Sequence, residues 1–152
     1  MRKTAFVKIS GDLIHMDAIL EWIRNLTRDY FVVVCTGGGS QISETLDARG
    51  LKSHFGPLGR ELDSFVSRQI ARDVLEENQA AVQDLLASKG IPAVVIIPVL
   101  DIGSVLCHVN GDVYTTAAYL GFDRVIIMTT REREEKKRAE TAHLSKIEVI
   151  GF

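Results

Sequence analysis

Three short segments of this chain contain the residue types that bind or transfer anionic groups. A lysine ammonium neutralises a phosphoryl group, and consecutive glycines let backbone N–H groups approach a ligand closely. A helix start adds unpaired N–H groups that favour phosphate or carboxylate. The residues are Lys8, Ser10 and Gly11 in the first segment, Gly37, Gly38 and Gly39 in the second, and Asn110 and Asp112 in the third. Together they predict a site for a small anionic molecule.

The glycine triplet is the most informative of these segments. A tight turn from strand to helix usually needs one glycine and sometimes two, so three in succession favour an anion-binding turn. Lys8 taken alone fits a residue that keeps its charge in water at the edge of a sheet. Beside the glycines, stabilisation of a phosphoryl group is an equally good interpretation of Lys8.

Asn110, Asp112 and Arg60 each allow a structural and a functional interpretation. Asn110 and Asp112 can cap a helix, which is the commoner role of such residues. A carboxylate at position 112 can also orient Lys8 or a metal ion. Arg60 follows the segment 56–59, which has a glycine at each end, and it can either bind a substrate carboxylate or remain solvated.

Alternating apolar runs and amphipathic stretches must position these residues. Strands are predicted over residues 4–9, 30–35, 93–99, 124–129 and 147–150, and helices over 15–28, 41–49, 61–89 and 112–120. Residues 51–60 are expected to be an exposed loop, 101–109 a short hairpin or loop, and 61–89 one long helix or two shorter ones.

Strands that alternate with helices predict one α/β domain over residues 1–152, a three-layer αβα sandwich with a mostly parallel sheet. Ligands of such sheets bind beyond the carboxyl ends of the strands. We therefore expect the three polar segments to converge at one edge of the sheet.

Composition excludes several classes of function. The 152 residues carry a net charge of −2, which argues against a nucleic-acid partner, and no apolar run approaches the length of a membrane span. Cys35 and Cys107 predict neither a disulfide framework nor a metal cluster, and the four histidines lack the spacing of metal ligands. We expect a cytoplasmic protein with reduced thiols and no bound metal cluster.

The charge-rich stretch 131–140 is predicted to be a solvated helix rather than a binding site. Glu132 and Lys136 are four residues apart, as are Glu134 and Arg138, and such pairs support an exposed helix.

Three stretches in the same order resemble the motifs of the amino acid kinase family. Residues 7–11 (VKISG) are similar to its first-strand lysine–glycine motif, and 32–41 (VVVCTGGGSQ) to its glycine-rich acceptor loop. Residues 108–112 (HVNGD), followed by 115–121 (TTAAYLG), resemble its third motif. The resemblance extends over most of residues 4–130.

The resemblance implies roles for individual residues. Lys8 would stabilise the transferred phosphoryl group, Gly38 and Gly39 would hold the acceptor, Asp112 would organise the charged groups, and Asn110 would line the acceptor pocket. ATP and Mg²⁺ would be the cofactors if the chain is a kinase, and a homodimer or higher oligomer would be expected.

The resemblance also implies that most of the nucleotide-binding half of the family, with its second catalytic lysine, has no counterpart here. Three hypotheses follow: a protein that binds a small anionic molecule without transferring phosphate, a small-molecule kinase whose nucleotide site is completed by another subunit or by residues 129–152, and a non-catalytic assembly subunit.

Overall fold

A five-stranded parallel sheet lies at the centre of the computed structural model, which describes residues 2–56, 59–102, 105–108 and 110–152. Its strand order is β5-β2-β1-β8-β9, and every neighbouring pair is parallel. The strands are β1 (Lys3–Ile9), β2 (Tyr30–Thr36), β5 (Ala93–Ile96), β8 (Arg124–Thr129) and β9 (Ile147–Gly151). The predicted α/β class with a mostly parallel sheet is confirmed.

Helices cover both faces of this sheet. They are α1 (Asp17–Leu26), α2 (Gly39–Ala48), α3 (Phe65–Ser88), α4 (Gly111–Ala118) and α5 (Arg131–Thr141). Helices α1 and α3 bury their apolar stripes against the face that carries Ala5, Val7 and Ile9. The opposite face carries Phe6, whose ring lies 6.5 Å from that of Tyr114 in α4. Helix α5 packs against β9.

The helix ends follow local signals in the sequence. Ser64 caps α3 by accepting a hydrogen bond from the Ser67 N–H, and the Ser67 hydroxyl accepts one from the Ser64 N–H. Gly50 and Gly90 follow α2 and α3 with φ of +66° and +64°, a conformation that glycine adopts without strain. Residues 61–89 thus contain one long helix rather than two.

Two expectations for the connecting segments were wrong. Residues 51–60, expected to be a loop, contain β3 (His54–Gly56), which pairs with β4 (Gly59–Glu61) in an antiparallel hairpin. The predicted strand 93–99 is two strands, because Pro98 has no N–H to donate to a ladder and the chain leaves the sheet before it. Val99, the last residue of that predicted strand, begins β6 (Val99–Ile102), which pairs antiparallel with β7 (Val105–His108). This pairing agrees with the hairpin, one of the two structures expected for residues 101–109.

Some predicted features lie outside the described residues. They include Val109 of the third motif and the side chains of Cys107 and His108. Within the described part of the chain, no helix combines the length and apolar character needed to cross a membrane.

Candidate functional site

One carboxylate and two lysines form a charged cluster beyond the carboxyl end of β1. Nζ of Lys8 lies 3.1 Å from Oδ1 of Asp112, and Nζ of Lys137 lies 2.8 Å from Oδ2 of the same residue. The side chains are 11% exposed for Lys8, 26% for Asp112 and 18% for Lys137. These groups come from β1, α4 and α5, so the fold and not the local sequence assembles them.

The two ammonium groups dominate the electrostatics of Asp112. Burial alone would raise the pKa of this carboxyl group, but the charge of Lys8 and the hydrogen bond and charge of Lys137 outweigh it and hold the pKa below its usual value. Oδ1 is buried and has the Lys8 ion pair but no well-aligned hydrogen bond. Asp112 is therefore ionised at neutral pH and holds the two lysines near each other.

The start of α4 explains how Asp112 reaches this position. Oδ1 of Asn110 accepts hydrogen bonds from the N–H groups of Asp112 and Val113, at 2.9 and 3.2 Å, so Asn110 caps the helix. The side chain of Asp112 is thereby free to face the lysines. A Cβ at Gly111 would lie 3.3 Å from Cε of Lys8. The absence of a side chain at Gly111 therefore lets the Lys8 side chain pack close to the backbone at the start of α4.

The first glycine segment and the glycine triplet are packed against each other. The Gly37 N–H donates to the Ile9 carbonyl at 2.8 Å, and a Cβ at Gly11 would lie 2.9 Å from Cα of Gly38. The expected convergence of the segments at one edge of the sheet is confirmed. Ser10 is buried, and its N–H donates to the carbonyl of Met128 in β8.

The three glycines of the triplet differ in their surroundings. The Gly37 N–H is already bonded, and a Cβ at Gly38 would meet the side chains of Leu75 and Asn78 at 3.1 Å. A Cβ at Gly39 would meet nothing within 4 Å. Gly38 is the N-cap of α2 and provides no side-chain cap, so the first-turn N–H groups of this helix can donate hydrogen bonds to an external anion.

Two amide side chains, to which the sequence motifs assigned no role, hold this turn in place. Nε2 of Gln41 donates to the Gly11 carbonyl at 2.9 Å, and Nδ2 of Asn78 donates to the Gly37 carbonyl at 3.0 Å. Single amides inside helical patterns follow no spacing rule that would have identified them. Oε1 of Gln41 is buried without a hydrogen bond among the described residues.

Arg60 lies beside the glycine turn, with its guanidinium bonded to protein groups. Nη2 donates to the Gly39 carbonyl at 2.6 Å and to Oγ of Ser43 at 2.9 Å, while Nη1 donates to Oγ of Ser53. Its position over the ring of Phe55 adds a cation–π contact at 4.6 Å. Burial lowers the pKa of Arg60 from its ordinary value. In this arrangement Arg60 ties the β3–β4 hairpin to the start of α2.

The expectation of a purely solvated helix at 131–140 was wrong for Lys137. Arg138 does pair with Glu134 on the surface, at 2.7 Å, but Lys137 turns inward to Asp112. No signal in the sequence marks this residue, because Lys137 has Glu134 and Glu140 three positions before and after it, as an exposed lysine of such a helix would. Helix α5 also follows β8, and β8 pairs directly with β1, which carries Lys8.

Cys35 neighbours Lys8 in the sheet register but is unsuited to nucleophilic chemistry. Burial raises the pKa of its thiol to about 12, against the opposing effect of the Lys8 charge. Cys35 is a free, buried thiol that belongs to the core.

The charged cluster lies where the order of the sheet reverses. From β1 the chain continues to β2 and β5 on one side and later returns to β8 and β9 on the other. Such a reversal opens a crevice beyond the carboxyl ends of the strands, and ligands of open α/β sheets bind there. Lys8 is paired in register with Ile127 of β8 at this point.

A family model for the amino acid kinase family matches residues 3–115, which is most of the chain and includes Lys8, the glycine triplet and Asp112. This chain belongs to the amino acid kinase family. A search of curated proteins finds no match.

Solved structures resemble the fold of this amino acid kinase domain at low sequence identity. An N-acetylglutamate synthase from Neisseria gonorrhoeae, complexed with coenzyme A and N-acetyl-glutamate, is similar with a TM-score of 0.59 and 10% identity over 98% of this chain. The same enzyme with coenzyme A and L-arginine gives a TM-score of 0.59 and 11% identity over 98% of this chain. The protein smu.665 from Streptococcus mutans UA159 gives 0.60 and 12% identity over 93% of this chain.

These structures differ in how much of their length the domain covers. The chain spans 54% and 56% of the two N-acetylglutamate synthase chains, but 84% of smu.665. At these identities the likeness establishes the fold alone.

Proposed function

We propose that this amino acid kinase domain binds a small phosphate- or carboxylate-bearing molecule between Lys8, Lys137 and the glycine turn. The observation that carries the proposal is the pairing of two largely buried ammonium groups with the one carboxylate of Asp112. The three groups sum to one positive charge, which an anion would neutralise when it displaces the exposed carboxylate of Glu140 from Lys137. The uncapped start of α2 adds backbone donors to the same edge of the sheet.

Inorganic phosphate is the simplest probe of this site. At about 100 times its dissociation constant, phosphate should stabilise the wild-type fold by roughly 2.7 kcal/mol, which is visible as a rise in melting temperature. We expect Lys8→Met to lose most of this rise, because methionine keeps the apolar part of the side chain and removes the charge. The measurement is thermal unfolding against phosphate concentration at constant ionic strength.

Lys89→Met is the matched control for the phosphate titration. Lys89 forms an exposed ion pair with Asp17 beyond the end of α3 and lies outside the cluster. Its variant should respond to phosphate like the wild type. An equal response in Lys8→Met and Lys89→Met would remove Lys8 from the site and contradict the proposal.

A second candidate function is phosphoryl transfer from ATP, which the position of Lys137 favours. Two ammonium groups beside one carboxylate can stabilise the negative charge that spreads over a phosphoryl group during its transfer. Residues 129–152 supply the second lysine from α5, as the hypothesis of a minimal lobe requires. The two ammonium groups carry the charge that binding of the ATP phosphates would require.

A Mg²⁺ ion would be held mainly by phosphate oxygens. Both oxygens of Asp112 lie beside ammonium groups, and the described residues contain no group of three histidine, cysteine or acidic side chains placed to hold a metal. Such an ion usually bridges phosphates and keeps several waters.

Transfer from ATP is expected to depend on Lys137. We would incubate the protein with Mg-ATP and a panel of acceptors comprising amino acids, carbamate and nucleoside monophosphates. Any transfer by the wild type should fall by about 10²–10³-fold in Lys137→Met, because one electrostatic contact in the transition state is lost. Lys136→Met, which changes the adjacent exposed lysine, should retain the rate. Transfer that survives in Lys137→Met would exclude this mechanism.

A further inference from the structure

We propose that Glu140 is an internal counter-ion that competes with the bound anion for Lys137 and thereby weakens the binding of every anion at this site. This inference rests on the proposed anion site. Oε2 of Glu140 lies 2.7 Å from Nζ of Lys137, while Oδ2 of Asp112 lies 2.8 Å from the same nitrogen. Lys137 therefore already has two carboxylate partners.

The two carboxylates differ in how firmly they are held. Asp112 is largely buried at the start of α4 and contacts both lysines of the cluster. Glu140 is 44% exposed, lies three residues after Lys137 on α5, and has a second, longer contact of 3.9 Å with Lys136. Its longer side chain can turn toward solvent without any change in the backbone. Glu140 is consequently the partner that an arriving anion would displace.

Glu140 also changes the net charge that a ligand meets. The ammonium groups of Lys8 and Lys137 and the carboxylates of Asp112 and Glu140 sum to zero while all four are in contact. Displacement of Glu140 leaves one positive charge. Every anion that reaches Lys137 must offset the loss of the Glu140 pair, so this cost lowers the affinities for phosphate and for a monocarboxylate by the same factor.

The ionisation of Lys137 agrees with this role. Burial by itself lowers the pKa of Lys137, but hydrogen bonds and charges from Asp112 and Glu140 outweigh it and raise the pKa above its ordinary value. The ammonium group is therefore charged at neutral pH and available to whichever anion is beside it. A neutral Lys137 would form no ion pair with either Glu140 or a bound anion, and the two would then not compete.

The test compares Glu140→Gln with Glu135→Gln. Glu135 is exposed on the same helix, and its position two residues before Lys137 turns it to another side, so its variant removes the same charge without touching the cluster. Calorimetric titrations would use inorganic phosphate at pH 8 and acetate as probes, at constant ionic strength. We expect Glu140→Gln to bind phosphate about two- to fivefold more tightly, as the loss of a partly exposed ion pair predicts.

Acetate provides the second readout. Its affinity should rise in Glu140→Gln by about the same factor as that of phosphate, because both anions displace the same carboxylate, while Glu135→Gln should bind acetate like the wild type. Phosphate binding that is equal in all three proteins, or weaker in Glu140→Gln, would overturn the role of Glu140 and leave the anion site intact. Failure of all three to bind phosphate would instead refute the proposed function, and the inference with it.

Discussion

Replacing Asp112 by asparagine is expected to lower the free energy of unfolding by about 2 kcal/mol at neutral pH. The substitution keeps the shape of the side chain but leaves Lys8 and Lys137 facing each other without the carboxylate between them. Breaking a fully buried pair costs roughly 3–5 kcal/mol, and the partial exposure of Asp112 reduces that figure. Urea unfolding of both proteins at pH 7 measures the difference.

The pH dependence gives this prediction a second, independent signature. The pKa of Asp112 is depressed in the folded protein, so its contribution is complete above the ordinary carboxyl value of about 3.9 and is lost as the pH falls through the depressed value. The difference in free energy of unfolding between wild type and Asp112→Asn should therefore stay constant from about pH 5 to 9 and decrease below about pH 4.

An exposed aspartate serves as the control for Asp112. Asp84 lies on the solvent side of α3, so Asp84→Asn should change the free energy of unfolding by no more than about 0.5 kcal/mol. An Asp112→Asn protein as stable as Asp84→Asn would show that the cluster does not hold the two lysines. A difference in free energy of unfolding between wild type and Asp112→Asn that increases as the pH falls would contradict the depressed pKa of Asp112.

The strands that carry the site were predictable because each is a continuous or alternating apolar run. The predicted strands 4–9 and 124–129 agree with β1 and β8 to within a residue, since strands buried on both faces need apolar side chains throughout. Glycines after two helices marked their ends correctly. The placement of Lys8 at a carboxyl edge followed from these strand boundaries.

The β3–β4 hairpin could not be predicted in this way. Its strands are three residues long and contain no buried residue, so they lack the apolar alternation that identifies a strand. Gly59 has a φ of +104°, and a Cβ there would collide with the side chain of Asn110. The hairpin is therefore positioned by a contact with a residue 51 places further along the chain, which no local pattern encodes.

Lys137 was missed for a related reason. The charge pattern predicted the helix correctly but could not identify which side chain turns inward, because that depends on the contact between α4 and α5. Neighbouring lysines at 136 and 137 look alike in sequence and differ in the fold, where one is exposed and the other meets Asp112. Non-local packing decides between them.

Replacing Gly11 by alanine is expected to cost about 3 kcal/mol of stability and to weaken phosphate binding. The new Cβ would lie 2.5 Å from Oε1 of Gln41, 2.9 Å from Cα of Gly38 and 3.0 Å from the Gly37 carbonyl oxygen. Two of these atoms belong to backbone that cannot rotate away, so the two loops must separate, and overpacking of this kind costs about 1–3 kcal/mol or more. Thermal unfolding and the phosphate titration measure the two effects.

The same substitution at neighbouring glycines gives a graded comparison. Gly38→Ala should cost less than Gly11→Ala, because its Cβ would press on the side chains of Leu75 and Asn78, which can shift by a few tenths of an ångström. Gly39→Ala meets open space at the first residue of α2 and should leave stability within about 1 kcal/mol of the wild type, or raise it. The loss of stability should decrease in the order Gly11→Ala, Gly38→Ala, Gly39→Ala. Equal losses at the three positions would show that the loops are not packed on each other, and the anion site would then lack the rigid turn it requires.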